Sequence, residues 1–142
     1  MAHRLVDLRI PTTPRGSIPP RAPYRFLGAG FGGRPPQHLK LPVKYELRLP
    51  KDRNGVRTGA RHFAVGRYFD DETDLNRPLR SLLKWASNAG GRDGIVLQSI
   101  QIYGRVTDDS PHFGLVLSPS MLEATAASGA VLDLSVYPRA NS

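Results

Sequence analysis

Arginines and aromatic residues alternate between positions 21 and 34, and this spacing could support the binding of single-stranded nucleic acid. The interleaved residues are Arg21, Tyr24, Arg25, Phe26, Phe31 and Arg34. Guanidinium groups neutralise phosphates while aromatic faces stack on bases, and proteins hold single strands with this mixture. In the alternative interpretation, Tyr24, Phe26 and Phe31 pack in the protein's own core or against a neighbouring subunit, and the arginines are solvated.

The basic residues are concentrated in the first third of the chain. Residues 1–44 contain eight Lys or Arg and one acid, whereas residues 45–142 contain twelve basic and eleven acidic residues. Eight of the thirteen prolines lie in the same first third. This pattern is typical of a basic arm attached to a compact body, so we expect an arm over residues 1–42 and a domain over residues 43–142. The cations expected to contact nucleic acid are Arg4, Arg9, Arg15, Arg21, Arg25, Arg34 and Lys40.

A glycine-rich segment lies inside this arm. Residues 28–33 match the G-x-G-x-x-G pattern, but a dinucleotide site requires these glycines between a buried strand and a helix. Arg34-Pro35-Pro36 follows and cannot open such a helix. The prolines and glycines between Pro11 and Pro42 predict no regular structure of any length, so this segment is expected to be flexible or an extended strap.

Four carboxylates cluster before or within the first turn of a predicted helix: Asp70, Asp71, Glu72 and Asp74. Oxygen ligands of this kind suit Mg²⁺. Negative charge is also favourable beside the exposed amides of a helix start, and this structural explanation is sufficient. We therefore predict no metal site.

The remaining reactive residue types form no catalytic motif. The chain has no cysteine, its four histidines form neither H-x-H nor H-E-x-x-H, and no G-x-S-x-G elbow is present. We predict no catalytic residue and no cofactor. An acid–base pair of His62 or His112 with Asp108 or Asp109 is the alternative.

The most regular part of the sequence predicts a helix followed by a long strand. Apolar residues recur at helical spacing on one side, at Leu75, Leu79, Leu82, Leu83 and Ala86. Pro78 suits an early helical position, and Gly90 and Gly91 are expected to end the helix. A β-branched-rich strand is predicted over residues 95–106.

Strands are also predicted before the helix. Residues 43–49 and 61–69 alternate apolar and polar side chains, and Asp52-Arg53-Asn54-Gly55 between them is a turn signal. These two strands are expected to form an antiparallel hairpin. A short first strand is expected over residues 3–10.

The chain after the long strand completes the expected order. Residues 112–117 are predicted to pair back on that strand, the capping-box spacing of residues 120–123 to begin a short helix, and residues 131–137 to form the last strand. The resulting ββαββαβ order predicts an α+β two-layer sandwich with a mainly antiparallel sheet and an extended N-terminal arm. The alternative is an all-β sandwich or jelly roll with the helix in a long connection.

A basic, proline-rich arm before a compact β-containing domain is similar in organisation to the coat or nucleoprotein subunits of small viruses and to ribosome-associated proteins. This resemblance implies a non-enzymatic subunit of a nucleoprotein assembly, with homo-oligomers and with RNA favoured over DNA. No apolar run is long enough to cross a membrane, and residues 1–7 do not resemble a signal peptide. We expect a cytoplasmic location or one within a virion or ribonucleoprotein particle.

Two other functions remain open at this point. One is a small oligomeric α+β enzyme or ligand-binding module, with a site between subunits around His62, Arg67, Arg105 and His112. The other is a protein-binding adaptor that presents Pro19-Pro20 or Pro35-Pro36 as a polyproline ligand.

Overall fold

One mixed sheet and two helices make up the part of the chain that the computed structural model describes, residues 24–50 and 62–137. The strands are β1 (Arg25–Gly32), β2 (Glu46–Arg48), β3 (His62–Phe69), β4 (Val96–Arg105) and β5 (Val131–Tyr137). The helices are α1 (Asn76–Asp93), between β3 and β4, and α2 (Pro119–Ala127), between β4 and β5. None of the helices in these ranges is long and apolar enough to cross a membrane.

The sheet has the strand order β2-β3-β1-β4-β5. β1 runs antiparallel to both of its neighbours, β2 runs antiparallel to β3, and β4 and β5 are parallel. The expected mixed α+β fold with a mostly antiparallel sheet is confirmed. The all-β alternative is wrong, because α1 and α2 contribute to a core shared with one face of the sheet.

The central strand β1 lies where the sequence predicted no regular structure, so that prediction is wrong for residues 25–32. β1 pairs along its whole length with β3 and with β4, and Arg25 lies opposite Phe69 on one side and Gly104 on the other. The folded domain therefore includes residues that we had assigned to the arm. Leu27, Ala29 and Phe31 alternate along β1 and face the helices.

The hydrophobic core lies between this face of the sheet and α1. Five residues of α1 belong to this core: Leu75, Leu79, Leu82, Ala86 and Ala89. Leu83, predicted as part of the buried stripe, packs at the edge of the core, whereas Ala89 was not predicted. They pack against β1, against Phe63 and Val65 of β3, and against Ile100 and Ile102 of β4. Met121 brings α2 onto the same core.

The end of α1 differs from the prediction. The helix continues through Gly90 and Gly91 to Asp93, and Gly94 has a φ of +70°, which favours glycine after a helix end. At the other end, Pro78 is the third helical residue, in agreement with the prediction.

Residues 112–117 do not form the predicted strand. Both edges of β4 are occupied, by β1 and by β5, so no edge is available for this segment. It runs beside the start of α1, where the side-chain amide of Asn76 donates to the carbonyl of Val116 over 2.8 Å. Helix α2 begins earlier than predicted. Its N-cap is Ser118, two residues before the predicted capping box at residues 120–123, and the Ser118 hydroxyl accepts a hydrogen bond from the backbone amide of Met121.

The predicted hairpin pairing is confirmed, since β2 lies antiparallel to β3. β2 is shorter than expected because the chain turns just before it, where the Tyr45 amide donates to the Pro42 carbonyl and Lys44 has a φ of +66°. The strand predicted over residues 3–10 lies outside the described residues.

Candidate nucleic-acid interface

The residues expected to bind nucleic acid occupy three kinds of position. Arg4, Arg9, Arg15 and Arg21 lie outside the described residues. Tyr24, Arg25, Phe26 and Phe31 lie in or directly before β1, while Arg34 and Lys40 are exposed on the segment after it.

Arg25 is a buried structural residue. Its guanidinium donates to the carbonyl of Asp70 at 3.3 Å and to the carbonyl of Thr73. Only 6% of the residue is exposed. Arg25 therefore fastens the start of β1 to the turn that leads into α1, and it presents no free charge to a phosphate.

Phe31 is also buried, in agreement with the alternative interpretation that places the aromatic residues in the core. Its ring stacks on Phe63 with a centroid distance of 5.2 Å and meets Trp85 edge to face at 5.5 Å. The indole of Trp85 donates to the carbonyl of Lys40 over 2.7 Å, which holds the segment after β1 against α1.

Phe26 points to the opposite side of the sheet, away from the helices, into a surface that we call the aromatic–arginine face. This face consists of Tyr24, Phe26, Arg48, Tyr68, Tyr103, Arg105 and Tyr137. Phe26 stacks on Tyr103 at 5.4 Å with an interplanar angle of 9°. The ring of Phe26 also covers Gly28 and Gly66, which lie opposite each other in β1 and β3.

The guanidinium of Arg48 lies 4.9 Å from the ring centroids of both Phe26 and Tyr68. Its side chain is 8% exposed, and among the described residues none of its three nitrogens has a hydrogen-bond acceptor. A carboxylate oxygen of Glu46 lies 3.8 Å from its Nη2 atom. Cation–π contacts stabilise such a guanidinium, and its free donors could receive a carboxylate or a phosphate of a ligand.

A second surface carries exposed charge, and we call it the basic surface. It consists of six cations on α1 and on the segment after β1: Arg34, Lys40, Lys44, Arg77, Arg80 and Lys84. Arg77, Arg80 and Lys84 follow the i, i+3, i+7 spacing and occupy the side of α1 opposite its buried stripe. The hydrogen bond from Trp85 to the Lys40 carbonyl places Lys40 beside the helix.

The cations of the basic surface are not neutralised by neighbouring carboxylates. Among the described residues, the ion pairs within 4 Å are Arg48 with Glu46 and Arg92 with Asp93, and neither involves the basic surface. Arg80 makes one contact to a neutral group, the hydroxyl of Ser120 at 3.4 Å. These charges remain available to an anionic partner.

The acidic cluster before α1 is explained by local hydrogen bonds. Asp70 accepts from the amides of Glu72 and Thr73 and from the Thr73 hydroxyl, and these bonds lower the pKa of its carboxyl group. Asp74 accepts from the amide and side chain of Asn76, which likewise lowers its pKa. No group of three potential metal-ligating side chains occurs within the described ranges.

His62 and His112 do not meet. His62 begins β3, opposite Gly32, and burial lowers the pKa of its imidazole. His112 precedes Phe113, whose ring lies against Gly104 near the other end of the sheet. A strand of this length separates the two ends by roughly 20 Å, so the two histidines do not share a site within one chain.

In comparisons with known proteins, no family model matches this chain, and no curated protein or solved structure matches it significantly.

The sequence alone predicted neither the aromatic–arginine face nor the basic surface. The three cations of α1 were visible only as the polar side of a predicted helix. Alternation of Leu27, Ala29 and Phe31 was the available signal for β1, and it was outweighed by the surrounding glycines and prolines.

Proposed function

We propose that this protein is a non-enzymatic, nucleic-acid-binding subunit of a nucleoprotein assembly that contacts phosphates without reading sequence. The observation that carries this proposal is the basic surface, whose six exposed cations have no carboxylate of the described part of the chain within 4 Å. Phosphate contacts position a protein on nucleic acid but carry no sequence information. RNA is the favoured ligand, and self-association of the subunit is part of the proposal.

The first 23 residues add four further arginines, Arg4, Arg9, Arg15 and Arg21, against a single acid, Asp7. We propose that they extend the same electrostatic contact along the nucleic acid. Arg25 is excluded from this role, because it is buried and hydrogen-bonded to backbone carbonyls. Phe26 and Phe31 are likewise excluded as stacking platforms, since their rings are buried.

The test is the salt dependence of binding to a fluorescein-labelled, mixed-sequence single-stranded RNA, followed by anisotropy. If the six cations of the basic surface and the four N-terminal arginines each neutralise one phosphate, the logarithm of the affinity falls with the logarithm of salt concentration with a slope of about −7. The triple substitution Arg77→Gln, Arg80→Gln, Lys84→Gln should reduce the slope to about −5. A scrambled RNA of equal length should bind with the same affinity.

The matched control is Arg92→Gln. Arg92 is an exposed arginine of the same helix, but it is paired with Asp93 at 3.5 Å, outside the basic surface. Its replacement should leave the slope close to that of the wild type. An unchanged slope in the triple variant would reject the basic surface as the interface, and absence of binding at 50 mM salt would reject the function.

Arg48 supports a second candidate, a ligand-binding module that takes a small planar anion at the aromatic–arginine face. In this function, the ligand would supply the acceptor that the buried guanidinium lacks. Millimolar benzoate, phosphate or a mononucleotide should then raise the melting temperature of the wild type but not of Arg48→Met. A ligand-binding fragment cannot start near Gln37, because it would lack the central strand β1.

A further inference from the structure

β5 is an open edge of the described sheet. It pairs with β4 on one side, and the amide of Val106 donates to the carbonyl of Tyr137 at the end of that ladder. Because consecutive residues of a strand direct their backbone groups to opposite edges, residues 131, 133, 135 and 137 bond toward β4. The amides and carbonyls of Leu132, Leu134 and Val136 are therefore directed to the open edge.

The side chains of this edge are apolar and half exposed. Leu134 and Val136 are each 50% exposed and Leu132 is 39% exposed, while Asp133 is the single charged residue of the strand. Edge strands are usually protected by short length, proline or charge. The opposite edge has such protection, since β2 is three residues long and lies between Pro42 and Pro50. β5 is seven residues long, contains no proline and carries one charge, at Asp133.

We propose that β5 pairs with β5 of a second copy of this chain, antiparallel and around a two-fold axis at Leu134, to form a continuous ten-stranded sheet. The inference rests on the self-association part of the proposed function and not on its nucleic-acid part. In this register the strand pairs along its full length. Leu134 lies opposite Leu134 of the partner subunit, and Leu132 lies opposite Val136 of the partner subunit. The amides and carbonyls that these residues direct to the open edge then form hydrogen-bonded pairs.

The strand is self-complementary in this register. On the face with the helices, every cross-strand pair is aliphatic. On the other face, Asp133 lies opposite Ser135 of the partner subunit. Within one chain, the Ser135 hydroxyl donates to Oδ1 of Asp133 over 3.3 Å, while Oδ2 is buried and has no hydrogen-bond partner among the described residues. The two Asp133 carboxylates are diagonal to each other, about 7–8 Å apart, so no like charges are directly opposed.

The experiment is light scattering after size exclusion on the full chain, freed of nucleic acid by nuclease and a wash in 1 M NaCl and then run in about 0.1 M NaCl at 100 μM protein. The expected mass is twice the 15.6 kDa of one chain. Leu134→Lys and Leu134→Glu should each be monomeric, because each places two like charges at the axis. An equimolar mixture of these two variants should recover the dimer mass, since a lysine then faces a glutamate only if position 134 pairs with itself.

Val43→Lys is the control, because Val43 is 80% exposed and precedes β2 at the opposite edge of the sheet. It should remain dimeric. A monomeric wild type or a dimeric Leu134→Lys variant overturns the inference. A mixture of the two variants that stays monomeric also overturns it, provided that circular dichroism shows both chains to be folded. Because nucleic acid is absent, failure of RNA binding leaves these masses unchanged, and the two proposals fail separately.

Discussion

The ring of Phe26 fills the space that a side chain at Gly66 would occupy. These residues lie on neighbouring strands, and the edge of the ring also comes within 2.5 Å of the position of a Cβ at Gly28. The two glycines therefore form a shallow cradle for one aromatic ring on the face of the sheet opposite the helices. Glycine is needed here for close approach and not for an unusual backbone conformation.

Replacing Gly66 with alanine should destabilise the fold by about 2–3 kcal/mol, because the new methyl group must displace the buried ring of Phe26. Urea unfolding followed by circular dichroism measures this loss. Gly114→Ala is the control, since no atom lies within 4 Å of its Cβ position, and it should change stability by less than about 0.5 kcal/mol. Equal effects at both positions would contradict the packing of Phe26.

Arg25→Ala should cost about 2–3 kcal/mol of unfolding free energy, because the carbonyls of Asp70 and Thr73 lose a charged donor in a partly buried site. Chemical denaturation of the variant and of Arg77→Ala gives the comparison. Arg77 is exposed, and its replacement should be nearly neutral. A nearly neutral Arg25→Ala would show that Arg25 is a free cation, as the sequence had suggested.

Trp85→Phe should cost about 1 kcal/mol, because it removes the hydrogen bond to the Lys40 carbonyl while an aromatic ring remains beside Phe31. The variant has no tryptophan, so its unfolding is followed by far-ultraviolet circular dichroism. We also expect weaker RNA binding, since the segment carrying Lys40 and Lys44 loses its attachment to α1. Unchanged stability would argue against that attachment.

Asp70 should make stability depend on acid pH. Its pKa is lower in the folded chain, chiefly through the bond from the Thr73 hydroxyl, so its ionised form stabilises the fold above the pKa of the unfolded chain. That contribution is lost as the pH falls through the lower folded pKa. The stability difference between wild type and Asp70→Asn should therefore be constant well above the ordinary aspartate pKa of about 3.9 and should shrink as the pH falls through the lower folded pKa. A difference that does not change with acid pH would contradict this origin.

Tyr45 should respond at alkaline pH. Burial raises the pKa of its phenol to about 12, and its hydroxyl has no hydrogen-bond partner within residues 24–50 and 62–137. The stability of the wild type should fall above about pH 10, where the unfolded chain can ionise this tyrosine and the folded chain cannot. Tyr45→Phe should be at least as stable as wild type at pH 7 and lose less stability at pH 11. Identical alkaline profiles would contradict burial of the phenol.

The helix and the long strand could be predicted from sequence because their signals are local. The stripe from Leu75 to Ala86 has helical periodicity, and the β-branched run after Gly94 has no competing pattern. The end of α1 was misplaced because two consecutive glycines normally stop a helix, whereas here the left-handed position is taken by Gly94.

The central strand could not be predicted because its stability is not local. Gly28 and Gly30 are poor strand residues alone, but Gly28 is required by the ring of Phe26 once β3 lies alongside. The failure at residues 112–117 has a related cause, since an alternating segment forms a strand only where an edge is free. The basic surface depends on the contact between Trp85 and Lys40, which are 45 positions apart.

The position of β1 in the chain has a consequence for how this protein is made. Every residue that pairs with β1 lies at least 30 positions further along, from Gly32 with His62 to Arg25 with Gly104. During translation, β1 therefore leaves the ribosome well before either neighbour, and its second neighbour emerges only after α1. Pairing of β1 with both of its neighbours must wait for residue 105, so assembly is dominated by contacts distant in sequence and is expected to be slow.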